Sequence, residues 1–253
     1  MSGTLISGQN IYKVFEQREQ KTQILQDITV DILEGDFTIV MGASGAGKST
    51  LLYALSGMDK ITSGTLKYKE KKISDFSEKQ MAELRANEFG FVFQQTHLVS
   101  NLTLLENVAV AGYISKKNGT KEVQARARKL LDQMHVEDAQ NRLPSQTSGG
   151  EGQRAAIARA LINEPGIVFA DEPTGALNKS NTTEVLNILT ELHRNGQSIL
   201  MVTHDLRAVT RGNRLLYIED GKIINELNLP PYHEKDEKSR ESTVNNWLAS
   251  MKW

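Results

Sequence analysis

Lys48, Ser49 and Thr50 follow a glycine-rich run, Gly42-Ala43-Ser44-Gly45-Ala46-Gly47. A glycine, four residues, then Gly-Lys-Ser is the spacing of a phosphate-binding loop of the Walker A type. The glycines let backbone N–H groups turn toward phosphate oxygens, and a following helix N-terminus adds positive potential at the same place. Lys48 is the expected point charge on the terminal phosphates, and the Ser49 hydroxyl the expected magnesium ligand. The context fits on both sides. Phe37 to Met41 is an apolar run that reads as a strand, and Leu51 to Leu55 reads as a helix. An idle glycine-rich turn would need neither.

A pair of carboxylates extends the same chemistry. The apolar run Ile167 to Ala170 ends in Asp171 and Glu172, at the carboxyl end of an expected strand, where open α/β sheets bind ligands. Asp171 is placed to hold a magnesium hydration shell, and Glu172 to orient or deprotonate an attacking water. A third element is Ser148-Gly149-Gly150-Glu151-Gly152-Gln153-Arg154, running into an expected helix from Ala155 to Leu161. Its local pattern has two readings, an anion-binding helix N-terminus and a plain helix capped by Ser148.

Groups of this kind need rigid supports, and the pattern between them supplies strands and helices in alternation. Ile28, Val30 and Ile32 alternate with Thr29 and Asp31, the period of a half-buried strand. With Asn10 to Phe15 and Gly64 to Tyr68, they predict a small antiparallel sheet. Phe89 to Phe93, Ile167 to Ala170, Ile199 to Val202 and Leu215 to Ile218 read as buried parallel strands. Val185, Ile188, Leu189 and Leu192 mark a helix stopped by Asn195-Gly196. This alternation predicts an α/β fold with a mainly parallel sheet.

Thr96 to Leu161 contains no strand pattern and reads as a helical insertion, with Arg126, Arg128 and Lys129 on the wet side of a helix. Beyond Gly221 the periodicity fades. Pro230-Pro231 and the mixed-charge run His233 to Glu241 read as a tether, followed by a short amphipathic helix at Val244 to Met251. Trp247, Leu248, Met251 and Trp253 would form one apolar stripe seeking a partner surface, against a frayed, solvated end. The expected organisation is one domain over 1–224, with a core at about 1–95 and 162–224, a helical subdomain at about 96–161, and a tail at 225–253.

Composition narrows the function classes. The 253 residues are 39% hydrophobic and 24% charged, which is globular rather than disordered. A formal net charge of −1 gives no global basic field to hold nucleic acid, so none is expected as a partner. The absence of cysteine excludes disulfides and thiolate metal sites. The start, MSGTLISGQN, reads as no signal peptide, and no apolar run approaches the ~20 residues of a membrane span.

The ordered set GASGAGKST, FVFQQ, SGGEGQR, IVFADEPTGALN and MVTHD resembles the nucleotide-binding subunit of an ATP-binding cassette (ABC) transporter, over about Asn10 to Ile223. Within that family, DEPTGAL and the stretch Gly90 to Gln95 resemble the macrolide-export, lipoprotein-release and bacitracin-resistance group. The resemblance implies ATP and Mg2+ as ligands and ATP hydrolysis as the reaction. It implies adenine stacking by Phe15, contact of Gln94 with magnesium and water (Gln95 being the adjacent candidate), and His204 near the γ-phosphate. It also implies a homodimer in which Ser148, Gly149, Gly150 and Glu151 serve the nucleotide of the other copy. A separate membrane permease would dock near Gln94 to Tyr113, which places the chain at the cytoplasmic face of the membrane.

Export, extraction or antimicrobial-peptide resistance is the implied work. A soluble ATPase of the same type acting on a non-membrane partner, and a nucleotide-binding module without mechanical output, are the competing readings. Three residues depart from the family pattern: Thr147 replaces a usual Leu, Glu151 a usual Gln, and Asn178 a usual Asp. Glu151 would repel phosphate unless it faces away or pairs with a neighbour such as Arg154.

Overall fold

The computed structural model describes residues 3–17, 20–115 and 117–251. The chain begins with β1 (Thr4–Gln17), β2 (Gln20–Leu33), β3 (Phe37–Met41), α1 (Lys48–Leu55), β4 (Ser63–Tyr68) and β5 (Lys71–Lys72). Then come α2 (Glu78–Glu88), β6 (Phe89–Phe93), α3 (Leu104–Ser115), α4 (Thr120–Gln133), α5 (Gly149–Leu161), β7 (Ile167–Asp171) and α6 (Lys179–Arg194). The last part holds β8 (Ser198–Val202), α7 (Leu206–Val209), β9 (Arg214–Glu219), β10 (Lys222–Asn228) and α8 (Glu237–Ala249). The chain divides into two compact units, Met1–Ser77 with Ser198–Trp253, and Glu78–Gln197.

In the first unit, β3 lies between β8 and β9 and runs parallel to both, while β10 returns antiparallel to β9. Every residue of β3 and β8 is buried, which is why both read as unbroken apolar runs rather than as alternation. A separate antiparallel sheet has the order β2-β1-β4-β5. The expected strand at Asn10 to Phe15 is the second half of the longer β1, whose pairing with β2 is broken by several register shifts.

Two expectations for the end of the chain are corrected. The fading pattern after Gly221 conceals β10, a largely exposed strand that needs few apolar residues. Arg214 holds it with a two-pronged ion pair, Nε to Glu226 Oε1 at 2.8 Å and Nη2 to Oε2 at 3.0 Å. The mixed-charge run is not a tether either. It enters α8, where Arg240, Val244 and Leu248 recur every four residues and are all buried. Trp247 meets Tyr217 edge-on, with ring centroids 6.3 Å apart, and Met251 is half-buried. Trp253 lies outside the described residues.

In the second unit, β6 and β7 pair in parallel from Phe89↔Ile167 to Phe93↔Asp171. The Phe169 ring packs between those of Phe89 and Phe91, at 5.2 and 5.5 Å. Helix α5 lies close on β6 because Gly90 has no side chain. A Cβ there would sit 2.6 Å from the Ala160 carbonyl oxygen. From Thr96 to Leu161 the described residues form helices and short 3-10 turns without a strand, as expected.

Arg126 is a correction, since it does not point into solvent with Arg128 and Lys129. Its guanidinium donates to the carbonyls of Ile162 at 2.7 Å and Leu161 at 3.1 Å, closing the end of α5. Helix α2 escaped the sequence reading because it buries only Met81 and so lacks an apolar stripe. Among the described residues no helix is long and apolar enough to cross a membrane.

The Gly90 contact yields a stability prediction. Gly90→Ala is expected to push α5 off β6 and cost about 1–3 kcal/mol, the range for overpacking a closed core. Urea midpoints of the two proteins at equal m-value measure it, and an unchanged midpoint would mean that the contact relaxes freely.

Candidate active site

The phosphate loop grows out of the buried end of β3. A Cβ on Gly42 would stand 2.1 Å from the Ile218 carbonyl oxygen, so only glycine lets the loop leave the sheet there. Gly45 (φ 82) and Gly47 (φ 102) take left-handed conformations that other residues resist. The Ala46 amide closes the turn on the Ala43 carbonyl at 3.2 Å, and the Gly221 amide anchors the Ala46 carbonyl at 3.1 Å. Gly47 is also the N-cap of α1 and has no side chain with which to cap it. Ala43, Ser44 and Gly45 are exposed, whereas Lys48, Ser49 and Thr50 are half-buried in the first turn of α1. Lys48 Nζ donates to the carbonyls of Gly42 and Ala43, both at 2.9 Å.

Two more expected residues lie in the same unit. Val202 of β8 is in register with Val40 of β3, and His204 stands two residues beyond it, exposed. Around His204, the Thr203 hydroxyl accepts from the Asp205 amide at 3.0 Å, and the Asp205 carboxylate accepts from the Arg207 amide at 3.0 Å to cap α7. Phe15 is 43% exposed, so its ring is not part of the core. Lys13 Nζ lies 4.6 Å from the centre of its ring and is itself held by Asp59 at 2.6 Å and the Lys60 carbonyl at 2.8 Å.

The second unit gathers the carboxylates. Asp171 is the last residue of β7, and its register partner Phe93 puts Gln94 just beyond β6, as Glu172 is just beyond β7. Glu172 has φ 48, a conformation that costs a non-glycine residue and concentrates at functional sites. The Gly175 amide returns to the Glu172 carbonyl at 3.0 Å and fixes that turn. Gln94 lies over Gly175, where a Cβ would meet Nε2 at 2.9 Å, and Gln95 is exposed. The donors at Asp171, Gln94 and Ser49 are all oxygen atoms, the chemistry that suits a hard cation such as Mg2+.

Gln153 has a role that its motif does not announce. It is 1% exposed, and its Nε2 donates to the carbonyls of Phe93 at 2.9 Å and Pro173 at 2.8 Å. One amide thus ties α5 to the residue before Gln94 and to the residue after Glu172. A polar residue on an otherwise Ala- and Ile-rich helix face was the available signal.

At the start of α5 the capping reading describes the local structure. The Ser148 hydroxyl accepts from the Glu151 amide at 3.2 Å, and Glu151 Oε2 accepts from the Ser148 amide at 2.7 Å, a reciprocal capping box. Of the alternatives for Glu151, direct pairing with Arg154 is not the one formed, although the charge of Arg154 still helps to lower the Glu151 carboxyl. Arg154 reaches Glu184 at 2.6 Å, and Arg142 approaches Glu151 at 3.6 Å. The hydrogen bond from the Ser148 amide is the largest cause holding the Glu151 carboxyl below its ordinary range. Gly149 opens the helix, and Gly150 lets α6 close on it, since a Cβ there would overlap the Asn181 side chain at 2.4 Å. Asn178 caps α6 by accepting from the Asn181 amide at 2.9 Å, which an amide oxygen does as well as a carboxylate.

Residues 25–175 match the family described as ABC transporter. The chain is 40% identical over 220 residues to the lipoprotein-releasing system ATP-binding protein LolD of Buchnera aphidicola subsp. Schizaphis graminum, covering 87% of this chain and 96% of that protein. It is 38% identical over 242 residues to the macrolide export ATP-binding/permease protein MacB of Mannheimia succiniciproducens, covering 96% of this chain. It spans only 36% of that longer protein. Among solved structures, a dimeric ATP-binding cassette in a post-hydrolysis state with ADP and Pi has a TM-score of 0.83 and 34% identity, over 90% of this chain and 100% of its own.

The capping box makes a prediction about acid. Because folding lowers the Glu151 pKa from 4.5, its contribution to stability is present above that pH and is lost as pH falls through the lowered value. Glu151→Gln is expected to abolish that part of the acid dependence, and Ser148→Ala to cost about 1 kcal/mol at neutral pH. Thermal melts of the three proteins from neutral to acidic pH check both. Parallel curves for the parent and Glu151→Gln would contradict the assignment.

Proposed function

The chain belongs to the ABC transporter family, as an ATP-binding and ATP-hydrolysing subunit, and we propose how its own residues divide that work. The loop from Gly42 to Gly47 and the N-terminus of α1 receive the phosphates of ATP. Lys48 neutralises charge on the terminal phosphates, with Thr50 in the same turn. Phe15 stacks on the adenine with its exposed face. Ser49, Asp171 and Gln94 hold Mg2+, which supplies charge neutralisation on the phosphate oxygens when bound. Glu172 accepts a proton from water as the water oxygen attacks the γ-phosphorus and the bond to the bridging oxygen of ADP breaks. His204 donates a hydrogen bond to the phosphoryl group being transferred. The observation that carries this reading is the phosphate loop itself, with Gly45 and Gly47 in left-handed conformations and Lys48 opening the helix that follows.

We further propose that two copies share the work. Ser148, Gly149, Gly150 and Glu151 of one copy then face the nucleotide of the other, as the dimeric state of the solved cassette supports. The capping box leaves the Gly149 and Gly150 amides at the tip of α5. The helical stretch 96–161 acts as a subdomain that couples to a membrane permease at Gln94 to Tyr113, while β10 and α8 belong to the first compact unit. Support comes from exposed apolar residues in and beside that stretch, Val99, Val110, Tyr113 and, at 63%, Ile114. The chain would then act at the cytoplasmic face of a membrane, and the names of the two relatives favour export or extraction as its task.

Two substitutions test the assignment. Lys48→Ala is expected to weaken MgATP binding by about 1.5–3 kcal/mol, the worth of a charge-assisted hydrogen bond, and to abolish turnover. Glu172→Gln keeps the shape but not the proton acceptor, so ATP binds and persists. Light scattering then shows a two-chain species that needs ATP, because a ligand bound to one state shifts the equilibrium toward it. Wild-type turnover in either variant would refute the corresponding role.

A further inference from the structure

Helix α7, which follows His204, has only four residues, and so short a helix has no stability of its own. Something else must hold it. The carbonyls just beyond it, at Thr210 and Gly212, are met by a side chain from far along the chain. Arg240 of α8 donates from Nε to Thr210 at 2.8 Å and from Nη2 to Gly212 at 2.5 Å. Its Nη1 donates to the Pro230 carbonyl at 2.5 Å. Arg240 is 4% exposed, and the ring of Tyr232 lies near both its guanidinium, at 5.7 Å, and that of Arg211, at 4.3 Å.

A buried cation is an expensive way to fill space, and an apolar residue would pack there at less cost. What the guanidinium adds is a planar fork that fixes several backbone oxygens at once. From those oxygens a short ladder runs back to the residues on either side of His204. The Thr210 amide donates to Leu206 at 3.1 Å, Val209 to Asp205 at 3.1 Å, and Asp205 to the Thr203 hydroxyl at 3.0 Å. The same helix α8 touches the phosphate-loop side through Trp247 on Tyr217, which is in register with Met41, the residue before Gly42.

We propose that Arg240 is a positioning residue for ATP hydrolysis: by holding the Thr210 and Gly212 carbonyls it fixes the segment from Thr203 to Gly212, and with it the imidazole of His204. The C-terminal helix then supports the hydrolytic machinery. This inference rests on the role of His204 proposed above.

The test uses the full chain with Arg240→Met, Arg240→Lys, His204→Ala and the double variant Arg240→Met/His204→Ala. Turnover, KM for MgATP, binding of a fluorescent ATP analogue and melting temperature are measured for each. Arg240→Met is expected to lower kcat by about tenfold while KM and analogue affinity stay within about twofold of wild type. Arg240→Lys recovers part of the rate. In the His204→Ala background, Arg240→Met causes no further loss, because the two residues act as one unit. The proposal is overturned if folded Arg240→Met turns over at the wild-type rate, or if its loss is undiminished without His204. Where Arg240→Met does not fold, Arg240→Lys is assayed in both backgrounds against the same two outcomes. A wild-type chain that hydrolyses no ATP would refute the function itself, a result separate from either outcome for Arg240.

Discussion

Strands that water does not reach hold the chemistry in place. Phe37, Ile39, Val40 and Met41 of β3, Val168, Phe169 and Ala170 of β7, and Leu200, Met201 and Val202 of β8 are all fully buried. Each of these strands ends where a functional residue or loop begins. Such positions inherit the rigidity of the sheet while keeping access to solvent, and phosphoryl transfer asks little else of a protein than position and charge. Parallel register does the rest within each unit. Val40 beside Val202 sets the phosphate loop beside His204, and Phe93 beside Asp171 sets Gln94 beside Glu172. A slip of one residue would displace a loop by about 3.3 Å, several times the tolerance of a reacting geometry.

The same residues often carry a local task under the functional one. Ser148 and Glu151 complete a capping box, Gly150 makes room for Asn181, and Asn178 caps the next helix. Glu151 looked electrostatically wrong for a helix tip that faces phosphate. Its carboxylate is instead bound to the backbone amide at 2.7 Å, so the unfavourable charge is partly spent at home. Asn178 keeps the cap that an Asp would make and omits its charge. Both departures from the family pattern are therefore sound as local structure.

Legibility in the sequence followed the range of the forces involved. The phosphate loop, the strand before Asp171 and the α6 stripe are local patterns, and each stands where the spacing put it. What escaped depends on partners distant in sequence. Helix α2 and strand β10 bury little, so hydrophobic periodicity had nothing to report. Helix α8 looked like a charged tether because its inward face includes an arginine, whose three carbonyl partners lie 10 to 30 residues upstream. Gln153 and Arg126 do comparable work on backbone carbonyls. A buried polar side chain that satisfies main-chain oxygens leaves no periodic mark. It is the kind of contact that only coordinates disclose.

The central claim is that each hydrolytic site needs two copies of this chain, which close around two MgATP. Steady-state phosphate release from MgATP, followed as the protein is diluted about a hundredfold with its mass tracked alongside, tests that directly, because association obeys mass action. The account predicts that turnover per chain falls on dilution in step with the two-chain fraction. Constant turnover per chain from a protein that remains a monomer throughout would contradict it.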